Sequence, residues 1–184
     1  MILFLTNNFK IVKPLYIWLK TKNEVVLYDK KLSIKYLKKL NPDLIISYNY
    51  KYIIKKEIIQ NYKIINLHIS YLPFNRGANP NIWSFLDNTP KGVTIHYIDE
   101  GIDTGKIITQ KKVVLNQNMT LKTSYKKLHK HIQRLFKLKF NEIKKPKYLK
   151  TQKQGTIHYL KDKFVLPKGY NTTIKELIDA NRKI

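Results

Sequence analysis

The sequence predicts an α/β protein built on an open, doubly wound, Rossmann-like sheet, with a shortened N-terminal half and a small C-terminal appendage. Three observations carry this prediction. Strand-length apolar runs alternate with helix-period segments through the N-terminal third. The run Leu44, Ile45, Ile46 is apolar at every position, as a strand covered on both faces of a parallel sheet must be. Polar residues suited to chemistry follow the next strand, at the edge where open α/β sheets place their ligands.

Element by element, residues 2–5 form a strand, since Thr6, Asn7 and Asn8 break the run too early for a signal-peptide core or a membrane span. A helix is expected over 11–20, a strand over 25–28, a helix over 32–40, a strand over 44–48 after Asn41, Pro42 and Asp43, and a helix over 52–61. The strand over 63–67 delivers Asn66 and His68 to its C-terminal end. A loop rich in Pro, Gly and Asn over 71–80 precedes a short helix over 81–86 and two strands, 92–98 and 106–114, whose connecting turn holds Asp99, Glu100 and Asp103. Residues 121–140 read as one amphipathic helix that turns Leu128, Ile132, Leu135 and Leu138 to the sheet. A terminal helix over 172–181 starts from a Thr cap. The catalytic domain is expected over 1–143 and a basic extension over 144–184.

Composition narrows the function classes. A chain of 184 residues with 43% hydrophobic and 12% aromatic residues can bury one continuous core. The absence of cysteine removes disulfides, thiolate metal sites and cysteine nucleophiles, and fits a soluble, cytoplasmic protein. A formal charge of +24 attracts phosphates. Because the excess is lysine spread along the chain, it reads first as a solvated surface, and a nucleic-acid partner is the less favoured reading. His129 and His131 lie two apart on a helix and so point apart, which makes them surface residues rather than metal ligands; His96 and His158 have no ligand companion nearby in sequence, and no metal is expected.

The stretch Asn66-Leu67-His68-Ile69-Ser70-Tyr71-Leu72-Pro73, followed by Arg76-Gly77, by Gly92-Val93-Thr94-Ile95-His96-Tyr97 and by Ile102-Asp103-Thr104-Gly105, resembles the folate-dependent formyltransferase family in content and in order. The resemblance reaches back to Pro42-Asp43-Leu44-Ile45-Ile46-Ser47-Tyr48 and covers roughly 41–114. Arg76 to Trp83, with the late Gly155-Thr156-Ile157-His158 and Asp162, is most similar to the sugar N-formyltransferases that act on nucleotide-linked amino sugars.

That resemblance implies 10-formyltetrahydrofolate as formyl donor, a nucleotide-linked amino sugar as acceptor, a place in surface-polysaccharide synthesis, and Asn66, His68 and Asp103 as the catalytic set. It also implies pterin enclosure by Lys51, Ile53 and the Tyr97, Asp99 and Gly101 stretch, and acceptor contacts from Arg76, Gly77, Asn79, Pro80 and Trp83. Chemistry independently favours these residue types. An amine attacking a formyl carbon builds an oxyanion and a surplus proton, so an Asn amide can donate to the oxygen while a His and an Asp manage the proton.

Bland rivals stand beside each. Arg76 could brace its loop instead of pairing with a diphosphate, Ile53 could be core, and Trp83 could anchor its helix. Singly, Asn66, His68 and Asp103 are ordinary turn or capping residues. The runner-up is a methionyl-tRNA formyltransferase, against which the short C-terminal stretch counts. Glycinamide ribonucleotide formyltransferase stands third, since Thr6-Asn7-Asn8-Phe9 occupies the place of a Gly-rich phosphate loop. A non-catalytic polyanion-binding protein is the reading from a different class, and self-association is left open.

Overall fold

The computed structural model describes residues 1–182. Its chain runs β1 (Ile2–Leu5), α1 (Phe9–Lys20), β2 (Val25–Tyr28), α2 (Ile34–Leu40), β3 (Leu44–Ser47), α3 (Lys56–Asn61), β4 (Ile64–His68), β5 (Arg76–Gly77), α4 (Pro80–Leu86), β6 (Gly92–Tyr97), β7 (Ile107–Lys112), α5 (Leu121–Leu138), α6 (Phe140–Lys144), β8 (Ile157–His158) and α7 (Ile174–Asn181). Six strands form one sheet in the order β2-β1-β3-β4-β6-β7. The first four are parallel, and β6 and β7 complete the sheet as an antiparallel hairpin.

Alternation along each strand divides the core between two faces. Ile2 and Phe4 of β1, Leu44 and Ile46 of β3 and Ile65 and Leu67 of β4 pack with Val12, Leu15 and Leu19 of α1 and Leu128, Ile132 and Phe136 of α5. Leu3, Leu5, Ile45 and Ile64 point the other way, against Leu37 of α2 and Ile58 of α3. The doubly wound arrangement follows, with β1 apolar at every position and β3 apolar up to its terminal Ser47 because both faces are covered. Among the described residues, no helix is long and apolar enough to cross a membrane.

Several boundaries move for physical reasons. The helix over 121–140 divides at Lys139, whose φ of −107° and ψ of 15° end α5 and start α6. Leu138 is 70% exposed, and Phe136 takes the inward position. The helix expected over 52–61 begins only at Lys56, which leaves 50–55 as irregular chain beside the sheet edge. Thr173 caps α7, its hydroxyl accepting from Glu176 N–H while the Glu176 carboxylate accepts from Thr173 N–H.

The chain beyond α6 lies back across the domain. β8 pairs in parallel with β5, and Phe164, Leu166, Ile174, Leu177 and Ile178 pack on Ile82 and Phe85 of α4 and Leu121 of α5. Its lysines face water, and its buried apolar residues join α4 to α5.

Candidate active site

At the C-terminal edge of β4 the parallel sheet meets the hairpin, and the antiparallel register sets Asn66 opposite His96 and His68 opposite Thr94. Asn66 and His68, two apart, share a face. The loop after β6 returns Asp103 to them with φ 52°, a left-handed conformation that Asp adopts more readily than most residues.

Asp103 is the junction. Its Oδ1 accepts from Asn66 Nδ2 at 3.1 Å and lies 3.4 Å from His96 Nε2; its Oδ2 accepts the Gly77 N–H at 2.9 Å and lies 3.5 Å from His68 Nδ1. Burial alone would push the Asp103 carboxyl up, but attraction to the protonated form of His68, the contacts with His96 and the Gly77 N–H outweigh it and hold the group well below the usual carboxylate range. Asp103 therefore stays ionised through neutral pH.

His68 is buried, and its Nε2 lies 3.2 Å from the Asn75 carbonyl. A carbonyl only accepts, so Nε2 carries the proton of the neutral ring, and Nδ1 presents a lone pair to Asp103. Burial, reinforced by His96, pushes the His68 pKa below its ordinary value despite the neighbouring carboxylate. The neutral imidazole has one vacant proton position, and that position faces an anion. His96 is fixed in turn, its Nδ1 donating to the Tyr97 carbonyl at 2.8 Å.

Two clefts open on this junction. The larger, about 830 Å³, is lined by Asn66, His68, Gly77, Asn79, Pro80 and Asp103, with Asn8, Ser47, Asn49, Tyr50, Lys122, Tyr125, Tyr170 and Asn171 around them. The smaller, about 430 Å³, is lined by Lys51, Tyr52, Ile53, His96, Ile98, Asp99, Gly101 and Ile102 among others. Asn66, Gly77, Asp103, Ser47 and Tyr50 border both.

Ten of the residues singled out from sequence are gathered here: Asn66, His68, Asp103, Lys51, Ile53, Asp99, Gly101, Gly77, Asn79 and Pro80. Ile53 is 89% exposed, so it stands at the rim and not in the core. Three residues fall outside both clefts. Arg76 gives its guanidinium to the Gln152 side chain, at 3.1 and 2.8 Å, and to the Lys153 carbonyl at 3.0 Å, which is the bracing alternative. Trp83 stacks on His158 with ring centroids 4.0 Å apart, and His158 Nε2 lies 2.7 Å from Asp87, tying the returning chain to α4. Tyr97, expected to act through its backbone, lines neither cleft, and its ring lies 5.7 Å from Lys63 Nζ.

Sequence reasoning also missed members. His96 read only as an alternating strand residue; its placement against Asp103 depends on the β4 and β6 register. His129, expected at the surface, is 3% exposed and lies 2.6 Å from the Tyr48 hydroxyl, because its helix position turns it to the sheet edge. Lys122, Tyr125, Tyr170 and Asn171 enter the larger cleft from α5 and the turn before α7, for which no local pattern gives a signal.

Known proteins are similar to this chain. The formyltransferase PseJ from Anoxybacillus kamchatkensis, solved in complex with UDP-4,6-dideoxy-4-formamido-L-AltNAc and tetrahydrofolate, is 43% identical and superposes with a TM-score of 0.86 over 97% of this chain and 98% of its own. Methionyl-tRNA formyltransferase of Clostridioides difficile (strain 630) is 38% identical over 121 residues, 64% of this chain and 36% of that protein. The bifunctional polymyxin resistance protein ArnA of Wigglesworthia glossinidia brevipalpis is 35% identical over 133 residues, 64% of this chain and 20% of that protein. The chain thus spans about a third or less of the length of these two curated relatives. A family model described as formyl transferase matches residues 6–138, a stretch that runs from the end of β1 through α5 and takes in Asn66, His68 and Asp103. This chain belongs to the formyl transferase family.

Proposed function

We propose that this chain transfers a formyl group from 10-formyltetrahydrofolate to the amine of a nucleotide-linked amino sugar. The observation that carries the reading is the pair of clefts bordered in common by Asn66 and Asp103, because a two-substrate transfer needs separate seats for donor and acceptor that meet at one set of reacting groups.

The smaller cleft suits the donor. Its wall combines the Ile53 and Ile98 side chains with the Asp99 to Gly101 stretch, an apolar face with a polar edge of the kind a flat heterocycle requires. The larger cleft, with Lys122 and the tyrosines at 125 and 170, suits a sugar joined to a nucleotide. A nucleotide amino sugar as acceptor also agrees with what PseJ was solved with, in a protein that aligns along nearly the whole of both chains.

In the reaction the acceptor nitrogen bonds to the formyl carbon, the bond from that carbon to the folate nitrogen breaks, and one proton leaves the acceptor. Asn66 Nδ2 is a donor that needs no change of protonation to stabilise the developing oxyanion. The acceptor's proton has a receiver in the vacant Nδ1 of His68, where the Asp103 carboxylate stabilises the imidazolium that results. The folate nitrogen takes up one proton as it leaves, equal to the one His68 received and now gives up, so His68 returns to its neutral ring and atoms and charge balance. Arg76 and Trp83 act as braces for the acceptor loop in this account, with no contact to either substrate.

The second reading, formylation of initiator methionyl-tRNA, is supported by the methionyl-tRNA formyltransferases among the sequence relatives and by the charge of +24. Incubating the chain with 10-formyltetrahydrofolate and a panel of nucleotide-linked 3-amino and 4-amino sugars, initiator methionyl-tRNA and glycinamide ribonucleotide separates the readings by mass spectrometry. The proposal predicts one formyl group gained by an amino sugar. Formylation of the tRNA alone would replace it with the second reading.

A further inference from the structure

On the face of the sheet that carries α1 and α5, a separate groove of about 490 Å³ runs between these two helices. It shares no lining residue with either cleft of the active site. Lys10 borders it from α1, and Lys126, Lys130, Arg134 and Lys137 from α5. No carboxylate lines it, and among the described residues none of these five cations pairs with one. The concentration of unpaired positive charge in a concave feature separates this groove from the lysines spread over the rest of the surface.

A second, independent feature is the imidazole of His129, which also lines the groove. It is 3% exposed, and its Nδ1 lies 2.6 Å from the Tyr48 hydroxyl. Gln133 Nε2 donates both to the Ile11 carbonyl at 2.8 Å and to the Tyr48 hydroxyl oxygen at 3.4 Å. Because the Gln133 amide nitrogen can only donate, the Tyr48 proton points at His129 Nδ1, and the proton of the neutral ring must sit on Nε2. Burial pushes the His129 pKa down to about 4, so the ring is neutral at physiological pH. Its Nε2–H is buried and has no acceptor among the described residues. A buried donor left unsatisfied costs on the order of 1–3 kcal/mol, and such a group in a folded protein calls for a cause.

One cause accounts for both features. We propose that the groove between α1 and α5 is a second binding site, for a small phosphorylated anion, in which His129 Nε2–H donates to a phosphoryl oxygen and Lys130 and Arg134 neutralise its charge. Multiple cations call for a ligand of more than one negative charge, and Arg matches the geometry of a phosphate as it does a carboxylate. The concavity and the volume are those of a small-molecule site; an extended polyanion would instead follow the exposed lysines along the outside of α5.

The probe is inorganic pyrophosphate, titrated into the intact protein at physiological ionic strength while the imidazole resonances are followed by nitrogen-edited NMR. The expected result is a saturable shift of the His129 Nε2–H signal, at least tenfold weaker in affinity in the Lys130→Gln/Arg134→Gln double variant. Both replaced residues are exposed and stand apart from the two clefts, so the variant keeps its fold and its formyl-transfer rate. A titration that leaves the His129 signal in place overturns the proposal, as does equal affinity in the double variant or a shift confined to His68 and His96. Displacement of pyrophosphate by a single-stranded RNA oligomer, with a steep salt dependence, would assign the groove to a polymer and overturn it as well.

Discussion

The Gly77 N–H donates to Asp103 Oδ2 at 2.9 Å, joining two loops at the point where the two clefts meet. Asp103 is thereby both the group that faces His68 and the link that sets the separation of the two proposed substrates. Gln152 reinforces the link, its amide donating to the Asp103 carbonyl at 2.8 Å and the Gly105 carbonyl at 2.7 Å.

Asp103→Asn isolates the charge from the shape. Asn tolerates the left-handed backbone at φ 52°, so the fold should persist with an unfolding midpoint within a few degrees of the parent. The anion opposite His68 Nδ1 is lost, and kcat should fall about 10²- to 10⁴-fold, the usual range for a group that assists proton transfer. Steady-state kinetics beside thermal unfolding checks both halves.

The pH profile has a definite sign. His68 must be neutral to receive a proton, and burial pushes its pKa below the ordinary 6.5. The acid limb of kcat/KM should therefore lie below that value, with Asp103 ionised throughout. A limb at or above pH 7 would contradict the assignment of His68 as proton receiver.

Gly77→Ala should disrupt the site through the backbone. Gly77 has φ 81°, and a Cβ there would overlap the His158 carbonyl that accepts from Ala78 across the β5 and β8 pair. A strained left-handed residue costs roughly 1–3 kcal/mol before the steric overlap is counted. Urea unfolding should show at least that loss, together with a rise in KM for the acceptor.

His129 makes stability depend on pH independently of activity. Its folded pKa of about 4 lies below the unfolded value of 6.5, so the unfolded chain binds the extra proton between the two. Its contribution is complete above pH 6.5 and is lost as the pH falls toward 4, in total about 3 kcal/mol. His129→Gln, which keeps an acceptor for the Tyr48 hydroxyl, should flatten the decline in unfolding free energy between pH 7 and 5 relative to the parent.

Much of this was legible in the sequence because the signals are local. The apolar runs of β1 and β3, the Thr that starts α7, and the spacing of Asn66 and His68 each depend on residues near one another in the chain. What was not legible depends on distance. His96 joins the site through strand register, Trp83 is fixed by His158 from the returning chain, and Arg76 by Gln152. His129 looked exposed because it and His131, two apart on a helix, point in different directions and cannot pair on a metal, yet a helix can turn one polar residue inward when a partner such as Tyr48 awaits it. Leu138 erred the other way: the helical period placed it inside, and the ending of α5 at Lys139 left it in water.

The central claim is that Asn66 serves the transfer itself and neither the fold nor the seating of substrates. Asn66→Ala tests it most directly, with turnover measured beside the affinity for 5-formyltetrahydrofolate and the unfolding midpoint. The account predicts a kcat lower by about 10²- to 10³-fold, the effect of removing one oxyanion donor, with folate affinity and midpoint nearly unchanged. A variant that turns over at the parental rate would contradict it.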